Sequence, residues 1–252
     1  MAASERKYGY RASPQVSASQ MAEYVSASAT RRISIRRAAR FPKRSVVAQY
    51  DGAREGLVKF LGDGSRSLSH LADADERLLR RAARVDASDW MKRDCKLSVE
   101  ALEAFQRAYN KLGLRALDCR PPPSRQPALD MWPTKVTVTL DVTVHQHRKG
   151  EPDGIGGAIL LFSKGEASSK KRIEQSKNVA GLILTYCDRF LSGMGTPDRN
   201  LCLAVDVFGG VAHKPPGSFS KGLRDVENSC DEIAALWKAT SPPDDYDGPD
   251  PS

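Results

Sequence analysis

The chain has 252 residues, of which 40% are hydrophobic and 28% charged, a composition typical of a globular protein rather than a disordered one. No apolar run reaches the roughly 18 residues that a membrane-spanning helix needs. The first twenty residues lack the apolar core of a secretory signal. We therefore expect a cytoplasmic protein, bacterial in style, that folds as one large domain or two modest ones.

The positive charge is concentrated near the N-terminus. Residues 1–50 contain ten Lys and Arg against two Glu, and this excess of eight equals the net charge of the whole chain. The densest part is residues 28–44, SATRRISIRRAARFPKR, with seven Arg and Lys in seventeen residues. At the other end, SPPDDYDGPDPS is acidic and rich in proline, which predicts a disordered tail.

The first half of the chain is predicted to be mainly helical. Apolar residues at helical spacing place helices at about 19–40, 46–61, 68–85 and 98–112. In the first of these, Met21, Tyr24 and Ile35 fall on one side, and Pro42 ends the helix. In the last, Ser98 is the expected N-cap.

The second half changes to a period of two after a proline-rich stretch. KVTVTLDVTV, residues 135–144, alternates strictly and predicts one strand, and IGGAILLFSK predicts a buried strand after it. A helix, the strand NLCLAVDVFGG and a last helix near Trp237 complete the order β-β-α-β-α. We therefore predict an α+β fold whose C-terminal half is an α/β unit with a small mixed sheet.

These patterns divide the chain linearly. The predicted segments are a disordered N-terminus at 1–18, a helical region with a basic first helix at 19–118, a proline-rich linker or loop at 119–134, an α/β domain at 135–240 and a disordered acidic tail at 241–252. The five cysteines are scattered and form no CxxC pair, so neither a disulfide framework nor a zinc ribbon is indicated.

The basic segment is the strongest candidate for a binding surface. Its cations are Arg31, Arg32, Arg36, Arg37, Arg40, Lys43 and Arg44. A positive charge confined to one end is what contact with nucleic-acid phosphates requires. Docking on an acidic protein, or a helix that is simply well solvated, would produce the same pattern. No zinc-finger or RNA-recognition motif indicates readout of bases.

The segment DVTVHQH offers a second kind of chemistry. Asp141, His145 and His147 share one face of an extended strand, a spacing that can chelate a metal ion. Histidines that simply face solvent at the end of the strand are the alternative, because a third and a fourth ligand are not identifiable.

The order of elements around these strands resembles the core of the PD-(D/E)xK nuclease superfamily over about residues 98–212. The resemblance implies a first metal-binding carboxylate at Asp141 or Asp153 and a catalytic lysine at Lys164. It also implies a helical glutamate at Glu100 or Glu103 and Mg²⁺ as the cofactor.

One position departs from that family. Two residues before Lys164, where the family has Glu or Gln, this chain has Phe162. Without that carboxylate a Mg²⁺ site loses a ligand, which implies a nuclease-like domain of reduced competence.

Taken together, the sequence predicts a protein that binds DNA or RNA through its basic helix and carries a degenerate nuclease-like domain; if it is an enzyme, it is a metal-dependent nuclease. The alternative is a non-enzymatic interaction or assembly subunit whose basic helix docks on an acidic protein.

Overall fold

The structure is a computed structural model that describes residues 6–43, 49–147, 149–150, 152–164 and 169–249. Its α-helices, within these ranges, are Ala18–Val25 (α1), Ala29–Arg40 (α2), Asp51–Gly62 (α3), Ser69–Ala82 (α4), Asp89–Ala108 (α5), Lys170–Phe190 (α6) and Ser220–Trp237 (α7). Its strands there are Gln15–Ser17 (β1), Asp118–Arg120 (β2), Leu129–Met131 (β3), Thr134–Thr137 (β4), Val142–Gln146 (β5), Gly154–Leu161 (β6), Thr196–Asp206 (β7) and Val211–His213 (β8). The predicted α+β class is confirmed.

The chain divides into two compact units. The first unit comprises residues 1–47, 127–139 and 218–252, and the second unit comprises residues 48–126 and 140–217. Both units therefore contain segments that are distant in sequence, whereas the composition predicted consecutive domains. Periodicity along the chain reports local structure, and it does not say which distant segments pack together.

The first unit places helices α1, α2 and α7 with a three-stranded sheet. The strand order is β1-β4-β3, with β1 parallel and β3 antiparallel to β4. Its core includes the fully buried side chains of Met21, Tyr24, Val136, Ile233 and Trp237. Among the described residues, no helix of either unit is long and apolar enough to cross a membrane.

The termini of the described chain differ from the predicted disorder. Residues 15–17 form β1, and the Ser17 side chain caps α1 by accepting a hydrogen bond from the Gln20 backbone. The Tyr8 hydroxyl donates to Asp245 at 2.8 Å, and the Tyr8 backbone N–H donates to Asp247. Composition alone did not show these contacts, because each end finds its partner in the other.

The second unit is built on a five-stranded sheet of order β2-β5-β6-β7-β8. Strand β5 is antiparallel to β2 and β6, whereas β6 and β7 are parallel and α6 lies between them in the chain. Helices α3, α4 and α5 share a hydrophobic core with these strands. Strands β6 and β7 approach closely at Gly156, where a Cβ atom would lie 2.3 Å from the Leu201 carbonyl oxygen.

The alternating stretch 135–144 is two strands rather than one. Residues 134–137 form β4 of the first unit, and residues 142–146 form β5 of the second unit. The alternation of apolar and polar residues in the sequence continues through both strands, although Thr143 is buried in β5, so the period of two carries no mark of the break. The Gln126 side chain forms two hydrogen bonds with the Leu140 backbone at this point. Its Nε2 donates to the Leu140 carbonyl, and its Oε1 accepts from the Leu140 N–H.

Helix starts also depend on which serine acts as the cap. The predicted helix over 19–40 is two helices, because the Ser28 hydroxyl accepts from the Arg31 N–H and begins α2. Helix α5 begins after Ser88 instead of Ser98, and Ser98 is buried inside it. All five cysteines are buried free thiols.

Candidate functional site

The basic segment forms α2 in the first unit, and its most buried cation is Arg40, which is 4% exposed. Its Nη1 donates to the carbonyl oxygens of Trp237, Lys238 and Thr240 at 2.6, 2.7 and 2.9 Å. These carbonyls belong to the end of α7, where a helix leaves unpaired acceptors and a negative dipole end. Arg40 therefore caps α7 from inside the unit.

Two more arginines of α2 belong to a partly buried network around Tyr24. The Arg36 Nη1 donates to the Tyr24 hydroxyl at 2.7 Å, and that hydroxyl donates to Glu232 of α7 at 3.0 Å. The Arg32 Nη1 donates to the other Glu232 oxygen at 2.8 Å. Burial, the largest cause, raises the pKa of Tyr24 above its ordinary value. The hydroxyl thus stays protonated and links the two helices.

The remaining cations of the segment also have partners. Arg31 pairs with Glu23 at 2.6 Å, the Arg37 Nε donates to the Ser241 carbonyl, and the Lys43 ammonium lies over the Tyr8 ring. Arg44 lies outside the described residues. Residues 218–252 of the same unit carry eight Asp and Glu against three Lys and Arg, so the basic helix meets an acidic segment of its own chain.

In the second unit, Asp141 lies directly before β5 and is buried beside the end of β6. Its two carboxylate oxygens accept from Nη1 of Arg54, on α3, at 2.7 and 2.6 Å. The Leu160 backbone N–H donates to the same carboxylate at 2.7 Å. The charge of Asp141 is therefore matched by a guanidinium and a backbone donor.

Lys164, just after β6, reaches the same edge of the sheet. It forms an ion pair with Glu100 on α5, and this contact lowers the pKa of Glu100. The other predicted helical glutamate, Glu103, is 3.5 Å from Arg107 instead.

An aromatic cluster lies between these two ion pairs. The Phe162 ring stacks on Tyr50 with centroids 5.1 Å apart, and the Arg54 guanidinium lies over the Phe162 face at 4.9 Å. Tyr50 has a left-handed backbone, φ +70°, and its N–H donates to the buried Asp94 carboxylate at 2.9 Å. Phe162 thus stands, with its stacked partners, at the position where the nuclease-like resemblance expects a carboxylate.

A third ion pair completes this edge. Asp206, at the end of β7, is 1% exposed and pairs with Arg172 of α6. It also accepts from the Gly209 backbone at 2.8 Å, which ties the turn after β7. The sequence did not single out three residues of this edge, which are Arg54, Tyr50 and Arg172. No local pattern marks them, because each contacts a partner 30 or more positions away in the chain.

Asp153 does not belong to this cluster. It precedes β6 at the opposite end of the hairpin, where its carboxylate contacts the His147 Nδ1 at 2.8 Å. Six residues of extended chain separate the level of His147 from Asp141, roughly 20 Å. The structure therefore separates the two aspartates that the sequence assigned to one catalytic and metal-binding set, because a hairpin puts its two ends far apart.

His145 of β5 and His147, which follows that strand, do not gather with Asp141 either. The His145 Nε2 lies 3.1 Å from the Thr143 hydroxyl, and burial, the largest cause, lowers the pKa of His145. Within the described ranges, no group of three or more His, Cys, Asp or Glu is placed to hold a metal ion. Mg²⁺ needs several oxygen ligands in octahedral geometry, whereas the described carboxylates Asp141, Glu100 and Asp206 are each paired with a side-chain cation.

Comparison with protein-family models and with curated proteins finds no match for this chain. Its function must therefore be argued from the fold and the site geometry.

Proposed function

We propose that this protein associates with nucleic acid through a nuclease-like core in its second unit that binds without metal-dependent cleavage. The observation that carries the proposal is the edge where Glu100, Asp141 and Lys164 meet around Phe162. A helical glutamate, an aspartate at the start of one strand and a lysine after the next are the parts that the resemblance implies. The helix α6 and the parallel strand β7 follow in the implied order.

The charges at this edge support binding rather than hydrolysis. Arg54, Lys164 and Arg172 each neutralise one carboxylate. In a metal-dependent nuclease the cation that does this is the metal ion, which also activates water. Here the cations are side chains fixed on α3, after β6 and on α6, and none of them can generate a metal-bound hydroxide.

The same edge leaves cations for phosphate. Lys170 and Lys171 lie in the first turn of α6, both are exposed, and neither forms an ion pair with the residues that the structure describes. A backbone contact of this kind is independent of base sequence and weakens steeply with salt. On α2, by contrast, Arg36 and Arg40 are buried, so phosphate contact there would use Arg31 and other exposed cations.

The test uses the full chain with fluorescent single-stranded DNA, duplex DNA and single-stranded RNA, at 20 and 200 mM salt, with and without Mg²⁺. We expect salt-sensitive anisotropy changes for at least one nucleic acid and no Mg²⁺-dependent cleavage. Replacing both Lys170 and Lys171 by Ala should weaken binding at low salt by about tenfold, from the loss of two phosphate contacts. The matched control, Lys92→Ala with Lys149→Ala, removes the same charge from elsewhere in the second unit.

Three results would count against the proposal. Absence of binding at 20 mM salt would remove nucleic acid as the partner. Equal weakening of nucleic-acid binding in both double variants would mean that this edge of the sheet is not the binding surface. Mg²⁺-dependent nicking that Lys164→Ala abolishes would show a competent nuclease despite Phe162.

A second candidate is a non-enzymatic interaction subunit, and one observation favours it. An apolar groove of about 270 Å³ lies between α4 and α5, lined by Leu78, Leu79 and Val99 and bordered by Lys92 and Lys96. This surface suits an amphipathic helix whose apolar stripe is flanked by carboxylates. Co-purification of a stoichiometric partner, competed by salt but not by nucleic acid, would support it.

A further inference from the structure

The second unit contains a second concave site, away from the strand ends described above. It is a cavity of about 460 Å³ between the loop that joins α3 to α4 and the end of α5. Its aromatic wall consists of Phe60, Phe105 and Tyr109, whose ring centroids lie 5.0–6.0 Å apart. Tyr109 is the half-buried member, so its ring is the one that a planar ligand can reach.

Arg66 is the fixed cation of this cavity. Its Nη2 donates to the Leu117 carbonyl at 2.6 Å and its Nη1 donates to the Phe60 carbonyl at 3.4 Å. Carbonyl acceptors position a guanidinium without neutralising it, and Arg66 forms no ion pair with any described carboxylate. Its backbone is left-handed, φ +53°, a strained conformation for a residue other than glycine and one that is found preferentially at functional sites.

A second cation lies beside it. Arg115 is exposed, lines the same cavity and forms no ion pair within the described part of the chain. Arg66 and Arg115 also line an adjoining concavity of about 370 Å³. Two uncompensated guanidinium groups facing one cavity are a strong anion site, because each can donate two parallel hydrogen bonds to a phosphate.

Other polar side chains accompany the two cations. The Tyr109 hydroxyl is buried and forms no hydrogen bond among the described residues. The amides of Gln106 and Asn110 stand at the rim. Because that hydroxyl is itself inaccessible, a ligand in the cavity would contact the ring of Tyr109 and the amides of Gln106 and Asn110 instead.

We infer that this cavity binds a nucleotide, with its base against Tyr109 and its phosphate between Arg66 and Arg115. A simple anion would leave the aromatic wall unused, and an apolar ligand would bury the two cations without a counter-charge. The volume is within the range of small-molecule sites. This inference deepens the proposed function, and the same chemistry has two sources: a free mononucleotide, or the 5′-phosphorylated end of a nucleic-acid strand.

The test is calorimetric titration of the full chain with the four ribonucleoside 5′-monophosphates, and with adenosine and inorganic phosphate as part-ligands. We expect at least one monophosphate to bind more tightly than either part-ligand. Arg115→Gln should weaken that binding by about tenfold or more, which is the effect of one charge-assisted hydrogen bond. Tyr109→Leu, which removes the ring against which the base lies, should weaken it several-fold.

The matched control is Arg107→Gln. Arg107 is also an exposed arginine near the end of α5, but it does not line the cavity. Its substitution should leave nucleotide affinity unchanged within about twofold, a limit set by weak long-range screening of exposed charges. Equal losses in Arg115→Gln and Arg107→Gln would overturn the inference, because general charge would then explain the binding.

The two sources are separated by competition. Displacement of the monophosphate by a 5′-phosphorylated oligonucleotide, but not by its 5′-hydroxyl counterpart, would assign the site to strand ends. Tight monophosphate binding without competition would assign it to free nucleotides. Failure of every monophosphate and of the phosphorylated oligonucleotide to bind below millimolar concentration would overturn the inference.

The proposed function is tested separately. Salt-sensitive binding through Lys170 and Lys171 is measured with 5′-hydroxyl strands, which lack the group that the cavity recognises. If the 5′-hydroxyl strands do not bind while nucleotide affinity is intact, the proposed function alone is overturned. If the strands bind while no nucleotide binds, the inference about the cavity alone is overturned.

Discussion

Replacing Arg40 by methionine should destabilise the first unit by about 3 kcal/mol. Arg40 is 4% exposed, and one of its guanidinium nitrogens contacts three carbonyls at the end of α7. Methionine retains much of the apolar stem but donates no hydrogen bond, so the substitution isolates the polar contribution. This change tests whether the cationic helix is a structural clamp.

The magnitude follows from the donor count. Nη1 carries two protons, so its three contacts amount to two hydrogen bonds. A hydrogen bond to a charged group contributes roughly 1.5–3 kcal/mol, and a cation near a helix C-terminus adds roughly 0.3–1 kcal/mol. Because water can reach part of the freed helix end, the expected loss is the lower part of this range, about 3 kcal/mol.

The assay is urea unfolding followed by tryptophan fluorescence in a Trp90→Phe background. The remaining tryptophans, Trp132 and Trp237, both lie in the first unit. The control is Arg31→Met, because Arg31 is exposed and its surface pair with Glu23 should contribute less than about 1 kcal/mol. If the two variants lose equal stability, or if Arg40→Met loses less than about 1 kcal/mol, the clamp is refuted.

Two further predictions concern the second unit. Gly156→Ala should lower the free energy of unfolding by about 2–3 kcal/mol, because its Cβ would lie 2.3 Å from the Leu201 carbonyl oxygen. The control Gly62→Ala has open space around its Cβ and should be neutral or stabilising by up to about 1 kcal/mol. Similar urea midpoints for the two variants would contradict this prediction. Burial lowers the pKa of His145 and of His213, so the unfolded state takes up protons first. The stability that these two residues contribute should be complete above about pH 6.5 and should decline as the pH falls toward their lowered pKa values in the folded state. His145→Gln should therefore reduce the difference in urea midpoint between pH 7.5 and pH 5.5. An undiminished difference in that variant would exclude His145 as a contributor.

Local patterns were enough for the class of fold. Hydrophobic spacing indicated the helices that became α3, α4, α6 and α7, and the apolar run before Phe162 indicated a central strand. The structure places Asp141, Lys164 and Glu100 at one edge of the sheet, and the roles that the resemblance implies for them stay a prediction. The helices and the central strand agree with the structure because periodicity is a property of neighbouring residues, and the fold uses that periodicity directly.

The partners of those residues were decided only by the tertiary structure. The same alternation runs through β4 and β5, and only long-range pairing assigns them to different units. Asp153 has the residue type of a metal ligand, but the hairpin places it roughly 20 Å from Asp141.

The basic segment shows the same limit most clearly. Its composition is compatible with phosphate contact, with an acidic partner and with simple solvation, since charge alone does not identify the counter-charge. The partners of these cations are the Glu232 carboxylate and the carbonyl oxygens at the end of α7, about 200 residues further along the chain. Burial of Arg36 and Arg40 depends on that distant helix, because a guanidinium is buried at low cost only where hydrogen-bond acceptors or a carboxylate surround it.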